Sequence, residues 1–175
     1  MKIVFFGVGA VCSVMATLLD ELSNKSKQKD INFVFIVRNI KKSQGHFFKN
    51  SNILNKSDFL EIKHFEEIFE DSKKYEKYLQ NSDIFINSST PSFNLPIMNL
   101  ALKYNTNYAD LASDIYKDEI ISTLKFDQQI LENEFKSQNL FALINLGISP
   151  GITNFLIGEK IHSLKNLPYE VKIKK

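Results

Sequence analysis

Residues 7–12 read GVGAVC and stand between an apolar run and a segment with helical periodicity. In a turn of this kind, the first glycine permits a tight bend and the second lets the backbone approach a pyrophosphate. The phosphates then rest on the N–H groups and the positive end of the helix. The residues predicted to line a pyrophosphate are Gly7, Gly9, Ala10 and Val11. The alternative is a tight turn in the same kind of fold that binds nothing.

Cys12 stands at the third position of that turn, where a small residue permits close packing of helix on strand. A thiol near a helix N-terminus can also acquire a lowered pKa and become reactive. We favour the packing interpretation, because no histidine or second cysteine is near in sequence to complete a nucleophile pair.

Arg38 is the chain's single arginine and follows the second apolar run. Proteins that bind NAD usually place Asp or Glu there, to accept a hydrogen bond from the ribose 2′-OH. A guanidinium instead pairs well with a 2′-phosphate. We therefore predict that Arg38, helped by Asn39, holds the 2′-phosphate of NADP(H), with Lys41 and Lys42 adding positive potential. The alternative is that Arg38 is a solvated loop cation.

Strand-like and helix-like segments alternate along the chain, which predicts a doubly wound parallel α/β sheet of the Rossmann type, with helices on both faces. The predicted strands are 2–6, 32–37, 59–63, 83–87, 107–110, 140–145 and 169–173. Predicted helices occupy 10–22, 65–79, 94–103 and 152–164, with one or two more in 115–137. Residues 39–56 are predicted to be irregular, with one helical turn. In the first helix, apolar residues recur at the spacing of one helical face: Val11, Val14, Met15, Leu18, Leu19 and Leu22.

Composition narrows the class of protein. The chain has 175 residues, 43% of them hydrophobic, and a formal charge of +2, which excludes a mostly disordered chain and argues against a strongly basic nucleic-acid binder. No apolar run approaches the roughly 18 residues that span a bilayer. One cysteine excludes an internal disulfide, and the three histidines, His46, His64 and His162, are too scattered to predict a metal site. We expect a soluble cytoplasmic protein with neither nucleic acid nor membrane as partner.

Four motifs together carry a resemblance to a known family. They are GVGAVC at 7–12, IFINSSTP at 84–91, Y-x-D at 108–110 and GISPGITN at 147–154. Over residues 1–165 the chain resembles the N-terminal NADP-binding domain of the saccharopine dehydrogenase (saccharopine reductase) family. The resemblance implies an NADP-dependent oxidoreductase acting on a C–N bond of an amino acid or polyamine precursor, with an amino-acid-like substrate.

The resemblance also implies a two-domain enzyme. Residues 1–165 would form the Rossmann-like domain and residues 166–175 the opening strand of a second α/β domain. We therefore expect this chain to be a fragment that binds NADPH and turns nothing over, with a homodimer possible through the missing domain. A nucleotide-sensing regulatory module without catalysis is the alternative.

The resemblance suggests where the reaction site lies. The Y-x-D and PGITN elements would flank the cleft between the domains, so Asp110 is predicted to orient the substrate amine or to support a base from the missing domain. Asn154 would shape the same wall, with Pro150 and Gly151 serving the turn. The rival interpretation is that Asp110 only accepts backbone hydrogen bonds. The residues expected to approach the nicotinamide are Ser88, Ser89, Thr90 and Pro91.

Overall fold

A computed structural model describes residues 1–26, 31–47, 51–113, 126–147 and 151–162. Six parallel strands form one sheet in the order β3-β2-β1-β4-β5-β6. Their bounds are Lys2–Phe6 (β1), Asn32–Val37 (β2), Ser57–Glu61 (β3), Ile84–Asn87 (β4), Asn107–Asp110 (β5) and Ala142–Leu143 (β6). The predicted doubly wound α/β class is confirmed.

Helices connect the strands. The α-helices are Ala10–Ser26 (α1), Ile40–Gly45 (α2), Ser51–Asn55 (α3), Glu66–Glu70 (α4), Glu76–Leu79 (α5), Asn94–Lys103 (α6), Glu132–Ser137 (α7) and Thr153–His162 (α8). Short 3-10 helices occupy Ser72–Tyr75, Pro91–Phe93 and Asp127–Leu131.

From β1 to β5 the sheet is buried on both faces, because alternate residues of these strands enter two different cores. In β1, Val4 and Phe6 enter the core that also contains Ile97 of α6. Ile3 and Phe5 enter the core that also contains Ala16 of α1. This explains why the central strands read as continuous apolar runs rather than as alternating ones.

α1 packs through small and polar residues rather than through its largest apolar ones. The residues it buries are Cys12, Ser13, Ala16, Asp20 and Ser23. Of the six apolar positions at helical spacing, four are exposed: Val11, Val14, Leu18 and Leu22. Small side chains let a helix lie close to the sheet, so the periodicity located the helix without identifying its buried face.

β3 spans Ser57–Glu61 rather than the predicted 59–63. Three further segments differ from the prediction. Residues 39–56, expected to be irregular, contain α2 and α3. The predicted helix 65–79 is broken at Asp71. There Ser72 is buried, and it accepts hydrogen bonds from Lys103 Nζ at 2.7 Å and, through its carbonyl, from the Tyr104 hydroxyl at 3.0 Å.

The sixth strand is the third difference, since β6 has two residues rather than the six predicted. Asn145 has a φ of +61°, and its N–H bonds to the Asp110 side chain, so the extended ladder cannot continue through it. The predicted strand 169–173, the expected second-domain segment 166–175 and residues 114–125 lie outside the described residues.

Candidate functional site

The turn from β1 to α1 requires glycine at position 7. Gly7 has a φ of +92°, and a Cβ there would lie 2.9 Å from Ser89 Cβ. Its N–H donates to the Ile36 carbonyl of β2 at 2.9 Å. The first predicted glycine is therefore needed for two reasons, the backbone conformation and the close approach of the loop after β4.

The N-terminus of α1 presents unused donors. The first i→i−4 bond of the helix runs from Ser13 N–H to the Gly9 carbonyl at 3.0 Å. The N–H groups of Ala10, Val11 and Cys12 therefore have no acceptor within the helix. A Cβ at Gly9 would have no heavy atom within 4 Å, so the space beside these donors is open. Donors, helix polarity and space together fit a pyrophosphate.

Cys12 is 1% exposed and packs in the core beneath this turn. Burial raises the pKa of its thiol to about 12, and a hydrogen bond with Ser88 opposes the shift. The thiol stays protonated at neutral pH, which fits the packing interpretation and not a reactive nucleophile.

Arg38 follows β2 at the same edge of the sheet. Its side chain is exposed and has no hydrogen bond or ion pair with a described residue. Asn39, predicted to help it, is the N-cap of α2, and its Oδ1 accepts the Lys42 N–H at 2.8 Å. The Asn39 acceptor is thus already used, whereas the guanidinium is available to a ligand.

Glu61, which the sequence analysis missed, is the last residue of β3 and pairs in register with Val37. Its Oε2 accepts the Ile40 N–H at 2.6 Å, two residues beyond Arg38. A carboxylate is therefore held close to the predicted 2′-phosphate position. Only the pairing of β2 with β3, and not local spacing, could have revealed it.

The loop after β4 is held by Asn87, which is 3% exposed. Its Nδ2 donates to the Thr90 carbonyl at 3.0 Å and to Asn94 Oδ1 at 2.6 Å. Its Oδ1 accepts the Ser89 N–H at 3.0 Å and the Ser89 hydroxyl at 2.6 Å. All four hydrogen-bonding positions of this amide are therefore satisfied inside the protein.

This loop contacts the β1 turn directly. Ser88 N–H donates to the Phe6 carbonyl at 3.1 Å, and Ser88 Oγ donates to the Gly7 carbonyl at 2.8 Å. Thr90 is exposed and its hydroxyl pairs with that of Ser92 at 2.8 Å, while Pro91 begins a 3-10 helix. The strand order diverges between β1 and β4, the position where α/β sheets open a ligand crevice.

Asn94 extends the network from β4 to β5. Besides Asn87, its Oδ1 accepts the Tyr108 hydroxyl at 2.9 Å, and its Nδ2 donates to the Ala112 carbonyl at 2.8 Å. Burial raises the pKa of Tyr108, and the nearby Asp110 raises it further. The tyrosine of the Y-x-D motif is therefore a neutral donor that fixes α6 against the sheet.

Asp110 is 1% exposed. Its Oδ1 accepts the Asn145 N–H at 2.8 Å and its Oδ2 accepts Gln128 Nε2 at 3.0 Å. Burial raises the pKa of this carboxyl, and the bonds from Asn145 and Gln128 oppose the shift. Among described residues, Asp110 thus joins β5 to the segment after β6, and its role at a reaction site stays a prediction.

The GISPGITN element lies only partly within the described residues. Gly151 has a φ of +133°, and a Cβ there would lie 2.8 Å from the Asn145 carbonyl, which fits its predicted turn role. Asn154 is the second residue of α8, and its side chain lies outside the described part of the chain, as does Pro150. Gly147 follows β6 at the edge where Leu146 N–H meets the Asp110 carbonyl at 2.9 Å.

A family model described as the saccharopine dehydrogenase NADP-binding domain matches residues 3–143. The chain belongs to this family. The resemblance drawn from the four motifs is confirmed, and the domain is that of an oxidoreductase family that binds NAD(P). No curated protein matches the sequence.

Solved structures of low identity share the fold of this saccharopine dehydrogenase-family domain. A saccharopine dehydrogenase (L-Glu forming) from Saccharomyces cerevisiae aligns with a TM-score of 0.63 at 18% identity, over 92% of this chain and 30% of that enzyme. A yeast methylglyoxal/isovaleraldehyde reductase complexed with NADPH aligns with a TM-score of 0.54 at 13% identity, over 82% of this chain and 53% of that enzyme. A homospermidine synthase from Legionella pneumophila in complex with NAD aligns with a TM-score of 0.53 at 16% identity, over 95% of this chain and 35% of that enzyme. The chain thus spans about a third to a half of the length of these proteins.

Across the described ranges, no helix is long and apolar enough to cross a bilayer. The same ranges contain no group of three or more His, Cys, Asp and Glu side chains placed to hold a metal ion.

Proposed function

We propose that this domain binds NADP(H) for an oxidoreductase that acts on a C–N bond of an amino acid or polyamine precursor. The observation that carries the cofactor preference is the free, exposed guanidinium of Arg38 at the end of β2. Arg38 directly follows β2, the strand next to β1, and the turn after β1 leads to the open N-terminus of α1. The central pyrophosphate of NADP(H) would meet the N–H donors, and the 2′-phosphate on its adenosine ribose would meet a bidentate cation.

In this proposal, Gly7, Gly9, Ala10 and Val11 hold the pyrophosphate through backbone groups. Arg38 pairs with the 2′-phosphate, and Asn39 contributes by beginning α2 in the correct place. The loop from Ser88 to Pro91 forms the wall beside the nicotinamide, held in position by Asn87. When bound, the nicotinamide supplies a hydride donor or acceptor at C4, and the protein's task is to orient it.

The substrate class rests on the family. Saccharopine dehydrogenase-family membership supports an amine or imine substrate, and the remaining determinants of substrate choice would come from a second domain. Asp110 then acts as a positioning residue: it joins β5 to the start of the GISPGITN element, which would form one wall of the cleft. A homodimer formed through the second domain is part of the same proposal.

Calorimetric titration of this chain with NADPH and NADH tests the cofactor assignment. We expect Arg38→Ala to weaken NADPH binding by about tenfold to a hundredfold, the loss of a charge-assisted bidentate pair of roughly 1.5–3 kcal/mol. NADH affinity and the free energy of unfolding should stay unchanged, since the side chain is exposed. Lys25→Ala removes one exposed charge at the far end of α1 and is the matched control.

Equal affinity of the unaltered chain for NADH and NADPH would contradict the NADP preference. An Arg38→Ala variant whose affinity for both cofactors is unchanged would contradict it as well. The C–N assignment is tested separately in the full-length protein, by comparing oxidation of secondary amines with oxidation of alcohols. Turnover confined to alcohols would overturn it.

A further inference from the structure

The buried carboxyl group of Asp110 joins three segments of the chain. Its Oδ1 accepts the Asn145 N–H after β6 at 2.8 Å, and its Oδ2 accepts Gln128 Nε2 from the last 3-10 helix at 3.0 Å. Asn145 has a φ of +61°, so the chain leaves the direction of β6 at the residue that this bond holds. A change in the charge of Asp110 would therefore act on the turn that leads into residues 147–154.

The Gln128 amide uses its nitrogen and leaves its oxygen without a partner. Nε2 donates to Asp110 Oδ2 and to Ser113 Oγ, whereas the buried Oε1 has no donor in the described part of the chain. Gln128 is 2% exposed, so bulk water does not supply that donor, and a buried acceptor without one is costly. Ionised Asp110 explains this orientation, because a carboxylate has only acceptors and the amide must turn its nitrogen toward it.

Protonation of Asp110 reverses this requirement, because a protonated carboxyl has an O–H donor that the amide oxygen can accept. In a reversed Gln128 amide, Oε1 would accept that O–H and also the Ser113 hydroxyl, at the positions where Nε2 now donates. The Gln128–Ser113 contact measures 2.5 Å, which is short for N–H···O and ordinary for O–H···O. The same side chains therefore have a second arrangement, in which Oε1 has two donors.

The surroundings of Asp110 make its neutral form accessible. Burial raises the pKa of the carboxyl, and the bonds from Asn145, Gln128 and Tyr108 oppose the shift. The other titratable groups on the elements bonded to it are Tyr108 of β5, a neutral donor, and Asp127 of the last 3-10 helix. Within the described ranges, no ion pair joins Asp110 to a cation that would hold it ionised as the pH falls.

We propose that Asp110 and Gln128 form a two-state proton switch. With Asp110 ionised, Gln128 presents Nε2 to it, and the bond from the Asn145 N–H is charge-assisted. With a proton from solvent on Asp110 Oδ2, the Gln128 amide is reversed, Oε1 accepts the Asp110 and Ser113 hydroxyl groups, and the Asn145 bond becomes an ordinary neutral one. Protonation thus loosens the turn at Asn145. The place of that turn in a reaction cleft rests on the proposed function, and the switch itself does not.

A titration of the chain between about pH 8 and about pH 4, followed by ¹³C and ¹⁵N spectra, tests the switch. We expect the Asp110 carboxyl carbon, the Gln128 side-chain NH₂ and the Asn145 amide to shift with one common midpoint. The NH₂ of Gln129 is the internal control, because it lies on the same 3-10 helix and its Oε1 accepts the Phe126 N–H. It should show no step at that midpoint.

Asp110→Asn reproduces the protonated state at neutral pH, since its amide keeps an acceptor for Asn145 and gains a donor toward Gln128. Its Gln128 NH₂ should therefore resonate near the position that the unaltered chain shows at the acid end of the titration. The Asn145 amide should exchange with solvent about tenfold faster, because a neutral bond replaces a charge-assisted one. The Tyr108 N–H, which donates to the Phe141 carbonyl at 3.0 Å, should keep its protection.

An Asp110 step that leaves the Gln128 NH₂ unmoved would overturn the switch, and so would the absence of an Asp110 step in the folded chain. An Asp110→Asn variant with the Gln128 signals and Asn145 exchange of the unaltered chain would refute it as well. If that variant does not fold, the titration of the unaltered chain decides. NADPH is added to the same samples: a switch in a chain without NADPH affinity stands while the cofactor proposal fails, and NADPH binding without the common midpoint refutes the switch alone.

Discussion

The loops after β4 and after β2 both stand at the carboxyl edge of the sheet, yet they are built in opposite ways. The β4 loop is bonded internally, with every position of the Asn87 amide satisfied by Ser89, Thr90 and Asn94. The β2 loop places an exposed cation with no described partner at its first residue, Arg38. One region supplies a preorganised shape, and the other exposes a positive charge that no described residue neutralises.

Removing the Asn87 amide should have the largest effect on stability. Asn87→Ala leaves Ser89 and the Thr90 carbonyl without their buried partner, and should lower the free energy of unfolding by roughly 2–4 kcal/mol. Urea denaturation measures it. Asn99→Ala, on the exposed side of α6 with a single bond to the Leu95 carbonyl, should change it by less than about 0.5 kcal/mol. Similar losses of unfolding free energy in both variants would mean that the Asn87 network stabilises the fold no more than a single hydrogen bond on the helix surface does.

The contact between the β1 turn and the β4 loop gives the next largest effect. In Gly7→Ala, an alanine would have to adopt a φ of +92°, and its Cβ would lie 2.9 Å from Ser89 Cβ. We expect it to cost roughly 1–3 kcal/mol, measured by thermal and urea unfolding. Gly9→Ala is the control, since its Cβ would meet nothing within 4 Å and the residue has no positive φ. A Gly9→Ala loss equal to that of Gly7→Ala would remove the steric explanation.

Substitutions at Asp110 test whether the internally bonded region extends from the β4 loop to β5. Burial raises its carboxyl pKa above the ordinary 3.8, so the stability that the protonated form contributes is complete below the unfolded pKa. It is lost as the pH rises through the folded pKa. The stability of the unaltered chain relative to Asp110→Asn should therefore fall as the pH rises above about 4. At neutral pH the variant keeps the bond from the Asn145 N–H and loses the one from Gln128 Nε2, while it no longer buries a charge. Its stability should therefore lie within about 1 kcal/mol of that of the unaltered chain.

Urea unfolding across this pH range provides the measurement, and a pH-independent difference would contradict the raised pKa. Asp110→Ala, which leaves Asn145 N–H and Gln128 without an acceptor, should lose about 1–3 kcal/mol. In the full-length protein, turnover by Asp110→Asn separates the two roles. A large loss of turnover with NADPH affinity retained would support a role of Asp110 at the reaction site. Unaltered turnover would support a purely structural role.

A substitution at Glu61 tests the charge near the β2 loop and has the smallest expected effect. Its carboxylate lies near the predicted 2′-phosphate, so Glu61→Gln should tighten NADPH binding about two- to fivefold, within the range of exposed charge interactions. The amide oxygen can still accept the Ile40 N–H. NADH binding should not change, and the gain should fall with added salt. Glu66→Gln, exposed on α4, is the control; an equal gain there would indicate only net charge.

Local sequence predicted the parts of the fold and site that depend on local physics. β1, β2 and β5 have the predicted bounds because continuous apolar runs are typical of buried parallel strands. The turn at Gly7 and the position of Arg38 follow from residue types next to those strands. β6 ends earlier than predicted because Asn145 adopts a positive φ and bonds to Asp110, a residue 35 positions earlier.

What local sequence could not predict is pairing between distant elements. Glu61 meets Ile40 only because β3 pairs with β2. Asn94 meets Tyr108 only once α6 lies on the sheet. The buried face of α1 was obscured for a related reason: in close helix–sheet packing, Ala16 and Ser13 are buried while Leu18 is exposed.

The strand order has a consequence for how the chain folds. β1 is made first and ends in the middle of the sheet, where Ile3 pairs with Phe33 on one side and with Ile84 on the other. Closing the second pairing requires a much longer loop than the first, and non-local parallel pairings form slowly. During synthesis β1, β2 and β3 can associate while one edge of β1 remains unpaired until β4 emerges from the ribosome. β1, the strand that leads into the Gly7 turn, thus keeps an unpaired edge during the stage of folding in which exposed strand edges are prone to aggregation.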